Sequence, residues 1–272
     1  MIVEEKVAVV TGAASGIGRA VAADLVQRGV AAVAMVDRCD DIKQVSAKLQ
    51  ESAGSKASVV PFVGDVTDDA FRRAVFDEIT AKCGIPSICV PAAGITRDKL
   101  SVRLDKQSGK ATLYPVEDFL TVLKVNLVAP VYWALEMVGR IAEDRHARGL
   151  KRWAPPEDVQ GTIVFISSVS SHGIPGQIAY SATKAGLDGV TATLMKEAIY
   201  YGVRCAVIHP GFTDTPMVRA LGDEYIAAKI LPQTQLKRLV RPEEIAGAIY
   251  FIIRDSAMSG ELWVDAGWHP QP

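Results

Sequence analysis

Residues 6–18 read Lys6-Val7-Ala8-Val9-Val10-Thr11-Gly12-Ala13-Ala14-Ser15-Gly16-Ile17-Gly18. The apolar run through Val10 is unbroken rather than alternating, the pattern of a strand covered on both faces. Glycines then crowd a turn, and Ile17–Arg28 places Ile17, Val21, Leu25 and Val26 on one helical stripe, with Arg19 and Gln27 off it. Comparable runs recur at Ala31–Asp37, Val59–Val63, Ser87–Val90, Thr162–Ser167, Val203–His209 and Leu262–Asp265. Helical periodicity fills Asp68–Ala81, Glu117–Ala142 and Tyr180–Ile199 between them. Strand–helix alternation of this kind requires right-handed crossovers. It predicts an α/β fold: an open, doubly wound parallel sheet of about seven strands with helices on both faces.

The chain of 272 residues is 49% hydrophobic, 22% charged and 7% aromatic, with 30 Lys+Arg against 31 Asp+Glu. A net charge of −1 gives no general pull toward nucleic acid or anionic membrane. High apolar content and the lack of low-complexity tracts or repeats exclude disordered, collagenous and solenoid classes. No break in composition marks a second domain, so residues 1–272 are read as one, with insertions at 101–115 and 144–160. The first insertion, polar around Ser108-Gly109, is placed near the mouth of the site, and the second, basic with Pro155-Pro156, is read as a solvated bulge. Cys39, Cys83, Cys89 and Cys205 lack metal-ligand or disulfide spacing, so neither a metal nor a disulfide framework is expected. An acidic start instead of a basic n-region, and no uninterrupted apolar run of roughly 20 residues, point to a cytoplasmic protein without a membrane span.

The turn Thr11–Gly18 suits a dinucleotide. Glycines let backbone approach a pyrophosphate, and the helix N-terminus offers free N–H groups and a positive dipole to the anion. Asp37 ends the second strand 25 positions after Gly12, where a carboxylate can accept bonds from ribose hydroxyls. A 2′-phosphate about 4 Å from that carboxylate would be repelled by roughly 4 kcal/mol at an effective dielectric near 20, before screening. Arg38 offsets part of this, while Ala14 and Ser15 add no cation, so the reading favours NAD(H) over NADP(H).

Chemistry concentrates in Ser167-Ser168-Val169-Ser170-Ser171-His172-Gly173 and Tyr180-Ser181-Ala182-Thr183-Lys184. On a helix Tyr180 and Lys184 share a face. An ammonium beside the phenol is expected to lower its pKa by about three units, roughly 4 kcal/mol. Tyr180 would then exchange a proton with an alcohol or carbonyl oxygen. His172 is placed near a substrate pocket or on backbone, His209 in a structural role, and Trp263 and Trp268 in C-terminal packing or a subunit contact.

From Val7 to Gly267 the chain resembles the single-domain short-chain dehydrogenase/reductase family, with its Rossmann-like sheet. Thr11–Gly18 matches the family's glycine motif, including Gly12, Ser15, Gly16, Ile17 and Gly18. Asp65-Val66 matches its acidic residue before the adenine, and Ala93-Gly94 its turn after the fourth strand. The resemblance carries the active-site asparagine to Asn126, serine to Ser168, tyrosine to Tyr180 and lysine to Lys184. It implies that Asn126 holds a water linking Lys184 to solvent, and that Pro210, Gly211, Thr213 and Thr215 form the segment closing over the nicotinamide.

There are two departures. Pro91-Ala92-Ala93-Gly94 stands where the family has Asn-Asn-Ala-Gly, so rigidity there is assigned to packing. The Ser168–Tyr180 interval is 12, one short of the family's, and Ser167 restores it. Strand register favours Ser168, with Ser167 the rival.

The residues therefore point to an NAD-dependent oxidoreductase acting on a secondary alcohol or ketone, or on a 3-hydroxyacyl or 3-oxoacyl thioester. Gly94–Leu100 resembles the corresponding stretch of 3-oxoacyl-carrier-protein reductases, an alternative that would use NADPH and an acidic carrier partner. A non-catalytic NAD(H) sensor or scaffold is the alternative from another class. The resemblance also implies a homotetramer, with Glu117–Ala142 and Tyr180–Ile199 as interface helices.

Overall fold

The computed structural model describes residues 1–54 and 56–268. Its central sheet has seven strands: β1 (Val7–Thr11), β2 (Ala32–Asp37), β3 (Ser58–Val63), β4 (Ile88–Pro91), β7 (Gly161–Ile166), β8 (Val203–Pro210) and β9 (Gly260–Val264). They lie in the order β3-β2-β1-β4-β7-β8-β9, every pair parallel. All seven predicted strands are present, within two residues at each end. The seven strands sit between two apolar layers. Ala8 and Val10 face α1 (Gly16–Gln27) and α9 (Pro242–Arg254) through Val21, Leu25, Ile245 and Ile249. Val7 and Val9 face the other layer, which includes Phe76, Trp133 and Met137. Burial on both faces is why these strands read as continuous apolar runs.

Of the other helices, α2 (Asp41–Ala53) and α9 were not anticipated, whereas α3 (Asp69–Cys83) and α6 (Ile178–Glu197) were. The predicted helix over Glu117–Ala142 becomes α4 (Val116–Leu123), a wide turn at Lys124–Val128, and α5 (Ala129–Ala147). Among the described residues this is the helix long and apolar enough to cross a bilayer. One face packs on the sheet through Trp133, Met137 and Ile141, while Val128, Tyr132 and Leu135 on the other stay exposed.

The first insertion is an antiparallel hairpin, β5 (Val102–Leu104) with β6 (Ala111–Leu113). Asp105 closes its tip by accepting bonds from Gln107 N, Ser108 N and Ser108 Oγ. The second is not a purely solvated bulge. Arg145 is buried, bonding Glu157 at 2.7 Å and the Lys151 carbonyl at 3.0 Å, and Trp153 N donates to the Tyr200 carbonyl. Charge alone suggested a wet loop, and a paired guanidinium holds it down instead.

The short helices α7 (Pro216–Arg219) and α8 (Asp223–Tyr225) precede α9, whose first turn is closed by Glu244. Its carboxylate takes the Arg238 guanidinium at 2.7 Å and the Arg241 backbone N–H at 2.8 Å, satisfying an otherwise free helix-end donor. Those bonds, Arg238 first, hold its pKa down at about 2, against an ordinary value of 4.5. A depressed carboxylate contributes stability above its unfolded pKa and loses it as pH falls toward the folded one. Glu244→Gln should therefore destabilise by about 1 kcal/mol at pH 7, and urea unfolding should show the gap closing between about pH 4.5 and 2. An equal gap at both ends would disprove the ionic origin.

Candidate active site

The chain runs outward from β1 to β3 and returns on the other side of β1 as β4. Loops leaving the carboxyl ends of β1 and β4 therefore diverge and open a crevice, the usual place for a ligand in such sheets. A cleft of about 460 Å³ lies there, lined at one end by Gly12, Gly16 and Asp37 and at the other by Gly94, Tyr180 and Lys184.

At the glycine end, Gly12 has φ +66°, and a Cβ on it would lie 2.7 Å from the Ala93 Cα. A Cβ on Gly18 would lie 2.3 Å from the Gly12 carbonyl oxygen, so the helix can approach the strand only without one. Ser15, Ile17 and Gly18 line the cleft with them. Asp37 is fixed by accepting from Ala14 N and Cys39 N, both at 3.0 Å, and Arg38 also borders the cleft. Asp65 and Val66 border it as well. Asp65 accepts from Thr67, and the Val66 carbonyl is pinned by the Trp133 indole N–H at 2.9 Å.

The departure at Pro91–Gly94 has its own remedy. Thr11 Oγ1 accepts from Ala93 N at 3.1 Å, tying β1 to the turn after β4 by a hydrogen bond rather than by packing alone. Nothing marked Thr11 for this in the sequence, because the partner lies 82 residues away.

Asn126 is fully buried, and its side chain clamps Ile95, accepting from the backbone N–H at 2.9 Å and donating to the carbonyl at 2.8 Å. Its amide is therefore occupied. The residue four positions on is Pro130, which has no N–H to donate to the Asn126 carbonyl. In the same turn Ala129 N bonds Lys124 O, five residues back. The Asn126–Pro130 spacing was legible in the sequence.

At the other end Ser168, Tyr180 and Lys184 converge. The Ser168 hydroxyl accepts from Ser170 N at 3.1 Å, and its influence on the Tyr180 phenol opposes the effect of burial there. The Ser167 hydroxyl turns away to donate to the Lys184 carbonyl at 3.0 Å. Of the two serines, Ser167 is thus committed to the Lys184 backbone and Ser168 is the one that acts on the phenol.

Lys184 Nζ lies 5.3 Å from the Tyr180 ring centroid and donates to the Ile166 carbonyl at 2.6 Å. The expected acidification of the phenol is not found. Burial pushes the Tyr180 pKa up to about 12, the Ser168 hydrogen bond opposes this, and Asp98 adds to it. Burial likewise lowers Lys184 to about 8, with Asp188 opposing. The ammonium spends its short hydrogen bond on a carbonyl, so desolvation outweighs it at the phenol.

Of the segment assigned to closing the cleft, Thr215 lines it, and Pro216 and Met217 follow. Pro210, Gly211 and Thr213 do not line it. Thr213 is buried and donates to the Gly211 carbonyl at 2.9 Å, so these residues shape the turn that presents Thr215. Arg97, Thr121 and Lys124 border the cleft and were not anticipated. His172 is exposed, with its ring edge-on to Trp263, and Trp268 donates to Gln233 Oε1 at 3.0 Å.

The cradle that Cβ atoms would fill, the helix N-terminus and the anchored Asp37 together fit a dinucleotide. Comparisons with known proteins agree in family and in fold. A family described as enoyl-(acyl carrier protein) reductase matches residues 12–269. The 3-oxoacyl-acyl-carrier-protein reductase of Thermotoga maritima is 33% identical over 273 aligned residues, covering 98% of this chain and 99% of that one. The acetoacetyl-CoA reductase of Synechocystis is 34% identical, covering 98% and 97%. A short-chain dehydrogenase/reductase structure from Mycobacterium marinum superposes with a TM-score of 0.81 at 26% identity, covering 99% and 97%. A seven-stranded parallel sheet with a glycine cradle at its switch point, and relatives aligned end to end, make this chain an oxidoreductase that belongs to the short-chain dehydrogenase/reductase family and takes a nicotinamide cofactor.

Proposed function

We propose that the protein is an NAD(H)-dependent reductase of ketones, with 3-oxoacyl thioesters as the leading substrate class, and the corresponding 3-hydroxyacyl compounds and secondary alcohols in the oxidative direction. The observation that carries this reading is one cleft lined by both Asp37 and Tyr180. The relatives named as 3-oxoacyl-carrier-protein and acetoacetyl-CoA reductases support the thioester class. The reading includes a cytoplasmic homotetramer.

When bound, the nicotinamide supplies or accepts the hydride. Ser168 orients the substrate oxygen by hydrogen bonding, and Tyr180 donates its proton to that oxygen in reduction. With a pKa near 12, Tyr180 stays protonated at neutral pH while being more acidic than an aliphatic alcohol, which suits it to the acid role. Lys184, with a pKa near 8, is mostly cationic at pH 7 and favours the phenolate that results. Asn126 braces Ile95 at the cleft wall, and its carbonyl is the group proposed to hold a water on the route by which the proton is replaced.

A steady-state panel of 3-oxoacyl thioesters, enoyl thioesters, small ketones and secondary alcohols, each with NADH or NADPH and the oxidised forms, tests the proposal. Turnover of oxo compounds with NADH is expected; tight NADH binding without any turnover would favour a sensor. Coenzyme choice rests on Asp37. Its repulsion of a 2′-phosphate, roughly 4 kcal/mol at 4 Å before screening, is reduced by solvent and by Arg38. Asp37→Ala should thus swing the kcat/KM ratio toward NADPH by about tenfold, equivalent to about 1.4 kcal/mol. An unchanged ratio would remove the carboxylate from coenzyme selection.

A further inference from the structure

Behind Ser168 lies a second cluster of titratable groups with no place in the mechanism above. His209, the penultimate residue of β8, is fully buried. Its ring stacks on Trp263 at 4.0 Å and 9°. Nδ1 lies 3.3 Å from the Ser168 carbonyl oxygen and 3.4 Å from Ser171 Oγ. Nε2 lies 3.4 Å from Glu261 Oε2 and 3.7 Å from Asp188 Oδ1. The groups around the imidazole come from three elements: Asp188 from α6, one turn after Lys184; Glu261 and Trp263 from β9; and Ser168 and Ser171 from the turn after β7.

Around this ring the Ser168 carbonyl and the two carboxylates can only accept in their ionised form, and the Ser171 hydroxyl can accept or donate. A carbonyl oxygen accepts only, so Nδ1 must carry hydrogen to bond it. Nε2 faces two carboxylates and, like Asp188 Oδ1, has no other hydrogen-bond partner. Ionised carboxylates and a bare ring nitrogen would all repel, so a proton is required among Nε2, Asp188 and Glu261. Burial raising the Asp188 carboxyl pKa agrees with a shared proton there. Glu261 is half exposed and gives the cluster contact with solvent.

We propose that His209 is a positioning residue: its Nδ1–H holds the Ser168 carbonyl, and thereby the Ser168 hydroxyl beside Tyr180, while its Nε2 shares a proton with Asp188 and Glu261. The inference rests on the reductase reading for its effect on rate, and on this geometry alone for the proton.

Two variants separate the ring's halves. The amide of His209→Asn keeps a donor near Nδ1, whereas that of His209→Gln places its donor near Nε2. His209→Gln should lower kcat for ketone reduction about tenfold with NADH affinity unchanged, and His209→Asn should recover most of the loss. Equal activities for the two, both within twofold of the parent, would overturn the positioning role. Glu261→Gln, on the exposed rim where folding is not at risk, removes a negative charge that favours the shared proton. It should speed hydrogen exchange at His209 Nε2, read by nitrogen-15 NMR of the full chain; an exchange rate equal to the parent's would overturn the sharing.

A readout independent of turnover is nitrogen-15 NMR of the histidine rings in the full chain, assigned with His209→Gln. An exchange-protected Nδ1–H on His209 at neutral pH is expected, and a bare Nδ1 would overturn the inference even if the enzyme is active. Were the protein inactive on every substrate, a protected Nδ1–H would leave the inference standing and the reductase reading fallen.

Discussion

Tyr180→Phe should lower ketone reduction by about 10²–10⁴-fold, the range by which a positioned acid–base group accelerates a reaction. The ring and its packing survive, so NADH affinity should change by less than about twofold, and thermal stability should hold or rise slightly because a buried hydroxyl is removed. Stopped-flow turnover together with NADH fluorescence titration checks both. Direction dependence adds a sharper signature. With Tyr180 near 12 the parent's reduction should not be limited by loss of its proton in the working range. Oxidation requires the phenolate and should rise with pH, less steeply above about pH 8. As pH passes about 8, Lys184 loses its charge and its support for the phenolate weakens. A variant that retains the parent's rate would sink the assignment of the proton donor.

Gly18→Ala should raise the NADH dissociation constant at least tenfold and lower Tm by several degrees. The added methyl would meet the Gly12 carbonyl oxygen at 2.3 Å, and this is backbone, which cannot swing aside as a side chain would. Either α1 moves off β1 or the turn reshapes; both displace the N–H groups that face the cleft. Overpacking of this kind costs about 1–3 kcal/mol, occasionally more, and the affinity loss adds to it because the same amides bind the anion. Gly247→Ala is the control, since nothing lies within 4 Å of a Cβ there. If Gly18→Ala binds NADH as the parent does, the glycine cradle is not the coenzyme's seat.

The two ends of the site were unequally readable. The glycine turn, Asp37 and the strand runs are local patterns, and local patterns survive in a linear string. Tyr180 and Lys184 were readable as a pair because one helical turn separates them. By contrast, Ser168 was preferred to its neighbour Ser167 on strand register alone, against the interval to Tyr180, and the packing of β7 on α6 commits the Ser167 hydroxyl to the Lys184 carbonyl. Asn126 was assigned a water-holding part without specifying the group, and tertiary contact commits its side-chain amide to Ile95. Arg97, Lys124 and the Ile166 carbonyl reach the site from the segment after β4, the wide turn between α4 and α5, and the end of β7, segments that no spacing rule connects. The basic stretch at 144–160 looked solvated because charge was visible and its partner, Glu157, was not marked as one.

Sequence by itself determined the architecture: apolar runs of strand length, separated by amphipathic helices, leave a doubly covered parallel sheet as the stable way to bury them. It also determined which residue types stand at the carboxyl edge of that sheet. What tertiary structure alone decided is the electrostatics there. Whether a phenol is made more or less acidic depends on how much water burial removes and on where an ammonium spends its hydrogen bonds, quantities set by distances of a few ångströms between distant segments. For Tyr180 that balance runs upward, opposite to what its spacing from Lys184 suggested, and it also gathers His209, Asp188 and Glu261 from three elements into one buried cluster.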